Sequence, residues 1–248
     1  MNIGKLGVFG DSFACIYTKW DMPVYAIDTA HRGLSWLELV EDQYQCQVAN
    51  YARPGSAFNF SLERYLKERY MFDYCIFVVS SPFRVYAKNT TIACVNYHYL
   101  LEMIAKLKGL DQTDEVISDL EVLNSVVVYM EKWMNMDLVH NIQHSVVNFI
   151  LKNHPNTLII PAFADSCDFS SVGLTDIAHY ELQLIDSRYS QQVAIKHDYR
   201  KCHFSKENNR IIFDKVRDAI DNGKPFLDLD LNDTLKPSKE LDFYIDML

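Results

Sequence analysis

The sequence predicts an α/β fold with a central, mostly parallel sheet and helices on both faces. Three observations carry this. Short apolar runs recur at residues 5–10, 46–52, 74–80 and 156–163. Segments of helical spacing separate them, so the strands are joined by crossovers, which parallel pairing requires. The run "YCIFVVS" is continuous in β-branched and aromatic residues, the pattern of a strand buried on both faces.

Taken in chain order, "KLGVFG" at residues 5–10 is the first strand, and it stops at Gly10-Asp11-Ser12. A helix follows over 35–41, "SWLELVE", with Ser35 as its N-cap. "CQVANYA", 46–52, is the second strand. In "SLERYLKERY", 61–70, Leu62, Tyr65 and Leu66 share one helical face. Residues 96–153 are mostly helical, with apolar stripes at Leu100, Leu101, Ile104 and Leu107, at Val116, Leu120, Leu123 and Val127, and at Ile142, Val146, Phe149 and Ile150. "NTLIIPAF" is a further buried strand, with Pro161 placing its end. Residues 175–185 look helical. A helix from Ser205 to about Asn222 stops at Asn222-Gly223, with Pro225 following. The last stretch, 226–248, alternates acids and apolar residues and reads as a strand-poor extension that wraps the domain or a partner. The expected organisation is one domain over 1–225, with a helical insertion at about 96–153, and then that extension.

Composition narrows the function. Of 248 residues, 49% are apolar, enough for a sizeable core. The net charge is −9, from 24 basic and 33 acidic residues, which argues against a general nucleic-acid binder with its basic face. No apolar run reaches the length that spans a bilayer, and no leader pattern stands at the N-terminus, so the expectation is a cytoplasmic protein without a membrane partner. The six cysteines are scattered with no CxxC pair, which predicts reduced thiols and neither a disulfide framework nor a zinc site.

In a parallel α/β sheet, ligands bind outside the carboxyl ends of the strands. Ser12 follows the first strand there, Gly55 and Ser56 the second, and Ser80 and Ser81 the third. Acyl transfer by serine needs a hydroxyl, a base and oxyanion donors. Ser12 supplies the hydroxyl at a strand end that is expected to open a helix. Gly55 in "NYARPGSA" either lets a bare backbone N–H approach closely or is a plain loop glycine after Pro54. His203 in "KCHFSKENNRI" lies in a loop ahead of a helix that Ser205 is expected to cap. Asp11 holds the turn by accepting backbone N–H groups. His203 has seven rivals: His31, His98, His140, His144, His154, His179 and His197. Of these, His140 and His144 stand at i,i+4 with no metalloprotease Glu after them, and read as a solvated or core-edge pair. His197 stands beside Asp198 and is the alternative to His203 as the base. Arg188, Arg200 and Lys201 are either an ordinary solvated loop or an attraction for an anionic or sugar substrate. Tyr17, Trp20, Tyr25 and Phe58 are read as core and cover before sugar-stacking rings.

"VFGDSFA", "NYARPGSA" and "HFSKENNRI" together resemble the first, second and last blocks of the SGNH (GDSL-type) hydrolases, in the style of SGNH-like proteins encoded by tailed bacteriophages. The likeness covers residues 5–81 and 186–220 and leaves out the helical middle. It implies a three-layer α/β/α sandwich, flavodoxin-like, carrying a helical insertion, with no metal or organic cofactor. It implies Ser12 as nucleophile, His203 as general base, and the Ser12 and Gly55 N–H groups as oxyanion donors. The substrate implied is a small acyl ester, including O-acetyl groups on carbohydrate. Two departures stand out. The third block lacks its Asn, so Ser81 or Arg84 substitutes or the oxyanion hole has one donor fewer. The acid three residues before the His is replaced by Arg200, leaving Asp198 or a backbone carbonyl to orient the ring. These departures motivate another reading: an SGNH-fold binding or structural module with weak or no catalysis, in a homo-oligomer or with a virion partner. A third reading has the first turn bind a phosphate.

Overall fold

Four parallel strands, β1 (Lys5–Phe9), β2 (Gln47–Asn50), β3 (Tyr74–Val79) and β4 (Thr157–Pro161), form one sheet in the order β2-β1-β3-β4. The computed structural model describes residues 2–15, 34–53, 55–85, 97–163, 174, 204 and 206–230. The predicted helix at 175–185 lies outside them. The helices are α1 (Trp36–Tyr44), α2 (Phe58–Glu68), α3 (Tyr97–Lys108), α4 (Asp114–Lys132), α5 (Met136–Asn153) and α6 (Lys206–Asp221).

Strand periodicity divides the core in two. Leu6, Val8, Ile76 and Val78 pack with Trp36 of α1 and Phe213 of α6 on one face. Phe9, Cys75, Phe77 and Val79 pack with Tyr65 of α2 and Val147 of α5 on the other. Because successive strand side chains point to opposite faces, a strand covered on both sides is apolar throughout, and all six residues of β3 are buried. The architecture is the expected α/β sheet with a helical layer on each face.

Local chemistry sets the ends. Ser35 caps α1 in a reciprocal box: its Oγ accepts the Glu38 N–H while Glu38 Oε2 accepts the Ser35 N–H. α2 begins at Phe58 rather than at Ser61, with no side-chain cap on its first turn. α6 ends at Gly223, whose φ of 63° lets Lys224 N–H turn back to the Ala219 carbonyl. The chain then runs beside β4: Ile159 N–H donates to the Pro225 carbonyl, and Leu227 N–H donates to that of Ile159. This parallel bridge at Phe226 continues the sheet order beyond β4, and Leu227 and Leu229 are buried.

The helical stretch does two jobs. α5 lies on the sheet through Val147 and Ile150. α3 and α4 pair with each other around a separate small core of Leu100, Ile104 and Leu123. Among the described residues, no helix is long and apolar enough to cross a membrane.

Candidate active site

The strand order reverses at β1, whose neighbours are β2 on one side and β3 on the other. The switch point thus falls between β1 and β3, and doubly wound sheets bind ligands outside the carboxyl ends of the strands at such a point. Gly10 lets the chain leave β1 there. Its φ is 151°, and a Cβ at this position would stand 2.6 Å from Val78 Cβ and 2.9 Å from the Val78 carbonyl oxygen. Gly10→Ala is therefore expected to cost about 3 kcal/mol through overpacking against β3, read as a lowered denaturation midpoint.

Ser12 opens a helix, as expected, and it is a single 3₁₀ turn, Ser12–Ala14. The turn is pinned from several sides. Asp11 Oδ1 accepts the Phe13 N–H at 3.1 Å, as Gly-Asp-Ser turn chemistry expects. Trp36 Nε1 donates to the Phe13 carbonyl at 2.8 Å, and Asn50 Nδ2 donates to that of Ala14 at 2.7 Å. Asp11, Phe13, Ala14 and Cys15 are buried, whereas Ser12 is partly exposed.

The loop after β2 is held onto the same turn. The Gly10 carbonyl accepts from Arg53 N–H at 3.1 Å and from Ser56 Oγ at 2.7 Å. Gly55, between them in sequence, has φ 71°, a conformation that glycine adopts without steric cost.

From the loop after β3, Arg84 Nη1 reaches Asp11 Oδ2 at 3.2 Å and the Ser56 carbonyl at 3.3 Å. Its guanidinium lies 4.6 Å from the centre of the Phe163 ring, which follows β4. One cation thus ties together chain leaving all four strands. Ser81 Oγ accepts the Phe83 N–H at 3.4 Å, and the Ser80 carbonyl accepts from Gln143 Nε2 of α5 at 2.7 Å.

Burial pushes the Asp11 carboxyl above its ordinary pKa, while the Arg84 charge and the Phe13 N–H pull it partly back. Burial, and then the Asp11 charge, push the Cys15 thiol far above its usual value. Cys15 Sγ donates to the Asp11 carbonyl, so it is a packed thiol rather than a reactive one.

The late segment arrives at the same turn. Phe204 packs its ring on Phe13, with centroids 5.6 Å apart. Asn209 of α6 accepts the Trp36 N–H through Oδ1 at 2.9 Å and donates to the Phe204 carbonyl through Nδ2 at 3.2 Å. Phe204 follows His203 in sequence; His203 and Asp198 themselves lie outside the described residues. Ser12, Gly55, Asp11, Ser81 and Arg84 all lie in the loops at the carboxyl rim. Sequence reasoning did not foresee the Asn209 clasp or the Ser56–Gly10 bond. The Asn pair in "KENNRI" was the one visible trace of the clasp, and both Asn208 and Asn209 are buried. Among the described residues, no group of three His, Cys, Asp or Glu side chains is placed to hold a metal ion.

Fold and rim define a doubly wound α/β protein with a partly exposed serine at its switch point. No protein-family model matches the chain, and no curated protein does. Among solved structures, a lipase/acylhydrolase from Enterococcus faecalis is similar over 90% of this chain and 98% of its own, at 15% sequence identity and a TM-score of 0.36.

Proposed function

We propose that the chain is a serine acyl hydrolase of the SGNH type acting on small acyl esters, including O-acetyl groups on carbohydrate. Ser12 Oγ attacks the ester carbonyl as the His203 imidazole takes its proton. The Ser12 and Gly55 N–H groups receive the oxyanion. Collapse expels the alcohol, which takes the proton back from His203. Water, deprotonated by the same ring, then hydrolyses the acyl-serine and restores Ser12. Asp198 or a backbone carbonyl orients the ring.

The supporting observation is the Phe13–Phe204 contact. It joins the residue after Ser12 to the residue after His203, across about two hundred positions of chain. A base and a nucleophile so far apart in sequence serve one reaction only if the fold makes such a junction.

A second reading, a non-catalytic binding module that includes a virion component, draws on a different observation. Arg84 Nη1 is engaged by Asp11 and the Ser56 carbonyl, and Ser81 Oγ by the Phe83 N–H. Both candidates for the third oxyanion donor are thus held by contacts within the protein, Arg84 through Nη1 and Ser81 as an acceptor. Losing one such donor lowers the rate by about a hundred- to thousand-fold.

A fluorophosphonate probe separates the two. Folded protein is expected to be labelled at Ser12, mapped by peptide mass, with labelling lost on prior heat denaturation. Folded protein that stays unlabelled favours the binding module.

A further inference from the structure

α5 has two apolar faces, and the sheet takes only one of them. Gln143, Val147 and Ile150 are buried on the inner side. On the outer side Leu138, Ile142 and Phe149 are 55%, 53% and 57% exposed. With the exposed Ser145, they stand at steps of four, three and four residues. That is the a/d spacing with which one helix packs along another.

Charge is missing from the same surface. Between Asp137 and Lys152, α5 contains no Asp, Glu, Lys or Arg, although Asn141, Ile142, Ser145, Asn148 and Phe149 are all exposed. The neighbouring α4, by contrast, exposes Asp114, Glu115, Glu121, Glu131 and Lys132. Loss of charge around exposed apolar side chains marks the centre of a protein interface.

We propose that α5 pairs antiparallel with α5 of a second copy of this chain, forming an isologous two-fold dimer. The charges at the ends of the helix select this occupant and this direction. Asp137 lies in the first turn and Lys152 in the last. Antiparallel pairing sets Asp137 of each copy against Lys152 of the other and opposes the helix dipoles. Parallel pairing would bring like ends together. A two-fold axis uses the same patch twice, so a charge-poor seam with oppositely charged ends complements itself. Eighteen residues of helix give a contact about 27 Å long. Such a contact is small beside the standard interface of about 1,600 Å², so the dimer is one that dissociates in the micromolar range.

Sedimentation equilibrium of the full chain tests this. From about 1 to 200 μM, the mass is expected to climb from the 28.8 kDa monomer toward twice that value. Ile142→Asp, on the seam, is expected to weaken association at least about tenfold, with unchanged circular dichroism. Asp137→Lys is expected to weaken it several-fold, and Lys152→Asp added to it to restore association. This rescue does not depend on the seam substitution folding. It also separates self-pairing from capture of another apolar surface or of the chain's own last residues. A constant monomer mass over the range overturns the proposal. So does a dimer indifferent to Ile142→Asp, or an Asp137→Lys defect that Lys152→Asp fails to repair.

Discussion

Ser12→Ala is expected to reduce hydrolysis of p-nitrophenyl acetate by about four to six orders of magnitude, and to remove fluorophosphonate labelling. The fold is expected to survive. The turn is held by the Asp11 carboxylate on Phe13 N–H, by Trp36 on the Phe13 carbonyl and by Asn50 on the Ala14 carbonyl. All of these atoms remain in the variant, as does the Cys15 N–H to Ser12 carbonyl bond. The turn is therefore expected to keep its shape in the variant. Cys15 offers no substitute nucleophile, because burial keeps its thiol protonated. The pairing of lost turnover with retained stability is what identifies a reacting hydroxyl. A variant that still hydrolyses the ester at the wild-type rate removes Ser12 from the chemistry.

Elements whose determinants are local were legible. β3 is a continuous apolar run and is buried along its whole length. The start of α1 follows from Ser35 and Glu38, a cap written within four residues. The end of α6 follows from Gly223, which takes the left-handed position that closes the helix without steric cost. α2 was placed three residues late because Ala57 gives no capping signal. The division of the helical stretch was not legible either. Periodicity shows that α4 and α5 each have an apolar face, but it does not name the surface that face meets. The sheet takes the inner side of α5, and α3 takes α4. At the candidate site, the order Ser12, Gly55, His203 was readable as wording along the chain. The Asp11–Arg84 pair was not, since its members are 73 residues apart and only the strand order brings them together.

That pair carries the largest expected stability effect. Asp11 is fully buried and Arg84 largely so. Removing one partner leaves an uncompensated charge in a low-dielectric site, and either Arg84→Met or Asp11→Leu is expected to cost about 3–5 kcal/mol. For a chain of this size that is a fall in Tm of about 10 °C. The double variant, Asp11→Leu with Arg84→Met, is expected to cost less than either single change, because no orphan charge remains. The pH dependence has a definite sign. The folded carboxyl of Asp11 has a raised pKa, burial being the larger cause. The native state therefore binds this proton more tightly than the unfolded chain does. The resulting stability is fully present below the ordinary carboxylate value of about 4 and is lost as pH rises from there through the raised folded value. Denaturant titrations across that window are expected to show a falling stability that Asp11→Asn flattens. Arg84→Met steepens it, since the offsetting cation is gone. Additive single-variant costs, or an unchanged slope in Asp11→Asn, would mean that the two groups do not act as a buried pair. Arg84 would then have no role in joining the Ser12 turn to the Gly55 loop, and the rim would owe its shape to the Ser56 and Asn209 hydrogen bonds instead.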